Sequence, residues 1–288
     1  MKILITGANG YLGCGVVKQL CLYKCDVVAA DFAVEHIHEN VEKKACNIFE
    51  IEDPYEYFGK PDVLLHMAWK DGFIHNSDAH ITDLSGHYLF LKKMIASGIK
   101  RVAVIGTMHE IGFHEGSINE NTVCSPMNLY GISKDALRKT VMLMASQNNI
   151  SWQWLRGFYI VGNTPFGNSI FSKLIAAANE GKKEFPFTMG QNQYDFLDYE
   201  IFCRQTAAAV MQDNICGIIN ICSGRPEKLS DRVERFIREN QLNIRLNYGA
   251  FPDRPYDSKA VWGNSEKIDT IMEADVLRRS NDHGADQS

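Results

Sequence analysis

The 288 residues are 45% hydrophobic and 23% charged, the balance of a globular protein large enough to bury a substantial core. A formal net charge of −5 with no basic tract gives no electrostatic basis for nucleic acid as a partner, and no apolar run approaches the ~20 residues that cross a membrane. The chain enters an apolar strand at once, without a charged leader or cleavage site, so a cytoplasmic location is expected.

Lys2-Ile3-Leu4-Ile5-Thr6 reads as a buried strand, and Gly7-Ala8-Asn9-Gly10-Tyr11-Leu12-Gly13 follows it directly. A helix is expected over 14–23, then a second strand over 27–30 that ends on Asp31. Glycines let the backbone turn tightly and approach a pyrophosphate, which rests on N–H groups at the positive end of the helix. Asp31 is placed to accept hydrogen bonds from the two hydroxyls of an adenine ribose. A carboxylate there repels a 2′-phosphate, so NAD(H) is favoured over NADP(H). A short strand is expected over 62–66, with Met67-Ala68-Trp69 beyond its end. His66 reads as structural rather than catalytic.

Apolar residues Ile81, Leu84, Tyr88, Leu91 and Ile95 predict one helix over 77–97. A buried strand over 101–106 leads to Thr107, a long helix covers 128–147, and another strand covers 152–155. This alternation predicts an α/β fold, a doubly wound (Rossmann) parallel sheet, with 1–162 as the dinucleotide-binding core. Beyond Gly162, helices over 170–179, 202–212 and 229–240 mix with short strands over 217–222 and 244–248. They predict a smaller C-terminal substrate-binding lobe over 163–277 that partly returns to the core sheet. The polar stretch 278–288 is expected to be a disordered tail.

Two features suggest catalysis. Tyr130 and Lys134 are four apart on one helix face, so an ammonium near the phenol would bring its pKa down from ~10 toward the working range. Thr107 ends a strand at the sheet edge where ligands of parallel sheets bind. The eight cysteines contain no Cys-x-x-Cys pair and read as buried free thiols. His36 and His38 are two apart with no third ligand nearby, so no metal is expected.

Thr6-Gly7-x-x-Gly10-x-x-Gly13, an acid after the second strand, a Thr closing a mid-chain strand and Tyr130-x-x-x-Lys134 together resemble the extended short-chain dehydrogenase/reductase superfamily, the NAD-dependent epimerase/dehydratase type. The resemblance implies that Thr107 and Tyr130 hydrogen-bond the substrate, that Tyr130 exchanges the proton, and that Lys134 orients the cofactor. Cofactor contacts would fall to Gly7, Asn9, Gly10, Tyr11, Leu12, Gly13, Asp31, Asn47, Ile48, Met67, Ala68, Trp69 and Lys134. Substrate contacts would fall to Thr107, Tyr130, Tyr159 and Arg254, whose guanidinium suits a diphosphate. Tyr194-Asp195-Phe196 stands where the family often has Arg-Asp-Phe.

Gly106-Thr107-Met108-His109-Glu110 lacks the Thr-Asp-Glu triplet of sugar 4,6-dehydratases, so dehydration is disfavoured. The stretch 251–264 looks like the reductases of nucleotide 4-keto-6-deoxysugars. The expected activity is therefore NAD(P)H-dependent reduction of the 4-keto group of a dTDP- or CDP-linked 6-deoxysugar, in surface-polysaccharide sugar biosynthesis. A 4-epimerase of the same family is the enzymatic alternative, and a non-catalytic NAD-binding scaffold is the alternative of another class. The resemblance also implies a homodimer through the helices of 77–97 and 128–147.

Overall fold

The computed structural model describes residues 1–164, 169–252 and 257–285. Its first half runs β1 (Lys2–Thr6), α1 (Tyr11–Leu20), β2 (Asp26–Asp31), β3 (Glu42–Ala45), α2 (Pro54–Tyr57), β4 (Val63–His66), α3 (Ala79–Thr82), α4 (Leu84–Ala96), β5 (Arg101–Thr107), β6 (Gly116–Ile118), α5 (Leu129–Asn148) and β7 (Ser151–Gly157). The second half runs β8 (Tyr159–Val161), α6 (Ile170–Asn179), β9 (Glu184–Pro186), β10 (Gln193–Asp198), α7 (Tyr199–Val210), β11 (Gly217–Ile221), β12 (Pro226–Lys228), α8 (Leu229–Glu239), β13 (Arg245–Asn247), β14 (Ala260–Gly263) and α9 (Glu266–Ala285).

Seven strands form one parallel sheet in the order β11-β7-β5-β4-β1-β2-β3. Its central strands are apolar on both faces because helices cover both. Ile3, Ile5, Val63, Leu65, Ala103 and Ile105 point to the side packed by α1, α7 and α9. Leu4, Leu64, Val102 and Val104 alternate to the side packed by α4 and α5. The helix expected over 77–97 is divided at Asp83, which ends α3 and begins α4.

A second sheet, β12-β10-β14-β6 with β8 paired to β10, carries the lobe. It sits beside a separate core built from Phe171, Leu174, Val233 and Phe236 of α6 and α8. A boundary at Gly162 is crossed in both directions, since β6 joins the lobe sheet and β11 returns to the main one. Buried Asp195 on β10 ties these parts together. It accepts hydrogen bonds from Ser223 N (2.8 Å), Ser223 Oγ (2.6 Å), Gly224 N (2.9 Å) and Gly263 N (3.1 Å).

The expected tail is not a tail through Ala285, because α9 continues to that residue. Its buried Asp275 accepts from Tyr23 Oη (2.9 Å), and Arg278 (2.8 Å) and Arg279 (2.9 Å) pair with it. Arg279 also donates to the Tyr23 hydroxyl at 2.6 Å. These contacts bolt the chain's last helix to the turn after α1. Tyr23→Phe leaves the Asp275 carboxylate one donor short, and should lower unfolding free energy by about 1–3 kcal/mol in urea denaturation.

Candidate active site

β1 has β2 on one side and β4 on the other, so the winding reverses there and a crevice opens beyond their carboxyl ends. Gly7 turns the chain at φ +72°, and a Cβ on it would lie 2.5 Å from Ala68 N. A Cβ on Gly13 would lie 2.0 Å from Gly7 O, so this turn is closed to side chains. Gly10 caps α1 without a side chain, and the first helical bond is Cys14 N to Gly10 O (2.9 Å). The amides of Tyr11, Leu12 and Gly13 therefore precede the helical ladder. Met67 and Ala68 form the opposite wall, with Met67 N donating to Thr6 O at 3.0 Å.

Asp31 stands at the end of β2 beside this turn. Its two oxygens accept from Asn9 N (2.9 Å) and Phe32 N (2.7 Å), while Asn9 Oδ1 accepts from His36 N (2.8 Å). A bare backbone, free amides and a fixed carboxylate at this spacing suit a dinucleotide. Asn47 spends its side chain on the local turn, donating to Glu50 (2.8 Å) and accepting from Phe49 N (3.1 Å), and the Ile48 side chain is in the core. Tyr11 turns its ring to Tyr199 (4.5 Å between centroids), and Leu12 packs on the core, so these two offer backbone to a ligand.

Lys134, on α5, is 2% exposed. Its ammonium donates to Ile105 O (2.8 Å) and lies 3.8 Å from the centre of the Trp69 ring. Trp69 in turn stacks on His87 (4.4 Å, 13°) and donates to His80 Nδ1 (3.0 Å). His66 shares hydrogen bonds with Thr6 Oγ1 (2.8 Å) and His87 Nδ1 (2.9 Å). Burial, with Lys134 adding repulsion, pushes His87 down to about 3 and His66 well below its usual range. Both rings are neutral and link Thr6 to the Trp69 stack. Burial, opposed by Glu110, brings Lys134 itself down to about 7.

Thr107 ends β5 and caps the 3-10 turn of Met108–Glu110. Glu110 reaches back as a capping box, accepting from Thr107 N (2.7 Å) and Trp154 Nε1 (2.8 Å), with Arg156 (3.5 Å) and Arg138 (3.7 Å) alongside. Tyr130 opens α5, where Asn128 Oδ1 caps Gly131 N (2.8 Å) and His75 O accepts from Tyr130 N (2.9 Å). The Thr107 side chain hydrogen-bonds the Tyr130 hydroxyl at this edge.

The expected lowering of the phenol is not what the site does. Burial pushes the Tyr130 hydroxyl well above its ordinary range, Glu110 pushes it further, and only the Thr107 hydroxyl draws it back. The Lys134 ammonium is instead engaged with Ile105 O and Trp69.

The sequence pattern did not mark Glu110 or the imidazoles of His75, His80 and His109, whose ring centres lie 5.8, 5.2 and 6.0 Å from that of Tyr130. Only Glu110 carried a signal, the Thr107-x-x-Glu110 spacing of a capping box. Tyr159 lies just past β7, whose Gly157 pairs with Thr107, and its ring packs on Tyr194 (4.7 Å) and Phe196 (5.9 Å). Arg254 lies outside the described residues. Among the described residues all eight cysteines are free, no His/Cys/Asp/Glu group is arranged for a metal ion, and no helix is long and apolar enough to cross a membrane.

Residues 3–222 match the model of the NAD dependent epimerase/dehydratase family. Over 269 residues, 91% of this chain and 99% of the relative, the sequence is 41% identical to a dTDP-6-deoxy-L-talose 4-dehydrogenase (NAD(+)) of Aggregatibacter actinomycetemcomitans. The fold is similar to that of a UDP-N-acetylglucosamine 4-epimerase from Methanobrevibacter ruminantium M1 (TM-score 0.80, 17% identity, covering 94% of this chain and 91% of that one). It is also similar to the dTDP-glucose 4,6-dehydratase DesIV from Streptomyces venezuelae, solved with NAD bound (TM-score 0.78, 16% identity, 94% and 90% covered).

Two outcomes follow from this geometry. A Cβ on Gly131 would lie 2.3 Å from His109 O, so Gly131→Ala must displace either the first turn of α5 or the turn after Thr107. It should destabilise the fold by about 1–3 kcal/mol in urea denaturation. Lys134 is protonated to higher pH unfolded (10.5) than folded (about 7). The unfolded chain binds the extra proton between those values, so stability due to this group rises with pH across that window. The unfolding free energy of the natural protein minus that of Lys134→Met should therefore increase from pH 7 upward.

Proposed function

The chain belongs to the NAD dependent epimerase/dehydratase family, and we propose that it interconverts the C4 keto and C4 hydroxyl forms of a dTDP-linked 6-deoxysugar, reducing the ketone with NADH as the biosynthetic direction. The observation that carries this reading is the hydrogen bond of the Tyr130 hydroxyl with Thr107 at the end of β5, with Lys134 buried one helical turn on. The relative that is 41% identical acts by name at C4 of a dTDP-6-deoxysugar, with NAD(+).

Thr107 donates a hydrogen bond to the C4 oxygen and Tyr130 exchanges a proton with it. Because burial and Glu110 keep the phenol protonated, it is poised as the acid of the reductive direction. Bound NAD(H) supplies the hydride that reaches C4, or takes it up in reverse. Gly7, the free amides of Tyr11 to Gly13 and Asp31 hold its phosphates and adenine ribose, and Lys134 holds the nicotinamide ribose. A carboxylate at Asp31 favours NAD(H) over NADP(H). Tyr159 and Arg254 contact the sugar nucleotide.

Met108 is buried in the core at the position where a dehydratase needs an acid, and Glu110 is committed to Thr107 and Trp154. Both facts favour redox at C4 over elimination. Leu89 on α4 and Leu143 on α5 are exposed apolar side chains, which supports pairing of two copies through these helices.

The test is turnover of a dTDP-4-keto-6-deoxysugar, followed by the absorbance of reduced nicotinamide. Tyr130→Phe should lower kcat by roughly 10²- to 10⁴-fold, the worth of a positioned acid. Undiminished turnover in that variant, or exchange of C4 epimers with no net consumption of NADH, would overturn the reading.

A further inference from the structure

Three imidazoles border the Tyr130 ring, and their chemistry differs. His80 is spent: its Nδ1 accepts from Trp69 Nε1 (3.0 Å), so its Nε2 carries the proton and donates to Ile74 O (2.9 Å). The rings of His75 and His109 lie 4.2 Å apart, and among the described residues neither has a hydrogen-bonded ring nitrogen. Both side chains are half-buried, so each keeps some contact with solvent. His75 is anchored to the start of α5 by its carbonyl, which accepts from Tyr130 N, and the His109 carbonyl lies close against Gly131.

A phenol that gives up its proton in each turnover must recover one from solvent. The inward path by Lys134 leads away from water, because that ammonium is 2% exposed, sits under Trp69 and donates to the carbonyl of buried Ile105. We propose that His75 and His109 form a proton relay joining Tyr130 to solvent, an inference that rests on Tyr130 being the proton donor at C4. In the reductive direction the Tyr130 O–H bond breaks and its proton goes to the C4 oxygen, while NADH delivers hydride to C4. The phenolate then takes the N–H proton of His109, directly or through one water, and the O–H bond re-forms. The other nitrogen of His109 takes a proton from His75 or from a buffer acid, so one solvent proton is consumed per turnover. The oxidative direction reverses each transfer.

The environment suits this role. Burial, reinforced by His75, brings His109 down to about 4, and burial with His80 lowers His75. Both rings are therefore neutral near pH 7. A neutral imidazole accepts at one nitrogen while donating from the other, so no imidazolium has to persist.

The experiment compares the natural protein with His109→Ala, His75→Gln and Tyr130→Phe, using NADH and dTDP-4-keto-6-deoxyglucose. Loss of the relay should lower kcat by about 10- to 10²-fold with KM little changed, raise the solvent deuterium isotope effect on kcat, and be partly reversed by added imidazole. Thermal melting checks that each variant is folded. If His109→Ala does not fold, His75→Gln carries the test, since its backbone anchor is retained. Unchanged kcat and isotope effect, a loss confined to KM, or a kcat loss that imidazole does not relieve would each overturn the relay. If the natural protein turns over and Tyr130→Phe does not, those results sink the relay alone. Absence of turnover by the natural protein sinks the reading of Tyr130 and the relay together.

Discussion

A single buried ammonium organises the site. Lys134 is held between the Ile105 carbonyl and the face of Trp69, away from water, at a position where burial alone disfavours its charge. Trp69 passes that constraint on through His87 and His66 to Thr6, the last residue before the glycine turn. Burial, with the cation above the stack adding repulsion, keeps both histidines neutral, so Thr6, His66 and His87 are joined by neutral hydrogen bonds. The glycine turn after β1 and helix α5 therefore share one set of contacts.

The other half of the site depends on close backbone approach. Gly131 allows α5 to press its first turn against the His109 carbonyl, and Gly106 leaves room for the Trp154 indole, to which an added Cβ would stand 2.0 Å away. Through that gap the indole reaches Glu110, and Glu110 fixes the Thr107 backbone. Arg156 and Arg138 beside the carboxylate offset part of its burial, although burial still dominates and pushes its pKa upward. The hydroxyl of Thr107 is thus positioned by a buried charge cluster rather than by the strand alone.

The first βαβ unit was legible because each part is local: an apolar strand, glycines at turn spacing, and an acid where the second strand ends. Thr107, Tyr130 and Lys134 were singled out by motif order, and the fold puts Thr107 at the end of β5 and the other two on α5. β3, Glu42-Lys43-Lys44-Ala45, was not, since a solvated edge strand has no apolar alternation. The lobe sheet was hidden because its three- to six-residue strands come from stretches far apart in the chain. α9 depends on Asp275 meeting Tyr23, 252 residues away, and no periodicity announces such a contact. His75, His80 and His109 come from two turns and a four-residue helix that fold over the phenol. Tyr130 and Lys134 are one helical turn apart on α5, but spacing does not reveal that Trp69 and Ile105 would claim the ammonium.

The proposed redox chemistry at one carbon of the sugar is tested most directly by label transfer. NADH carrying deuterium at the transferable ring position would be turned over with dTDP-4-keto-6-deoxyglucose and the product analysed by NMR. Deuterium at C4 of the sugar, in proportion to the NAD formed, is the predicted result. Deuterium lost to water or found at a neighbouring carbon, or a product without label, would contradict it.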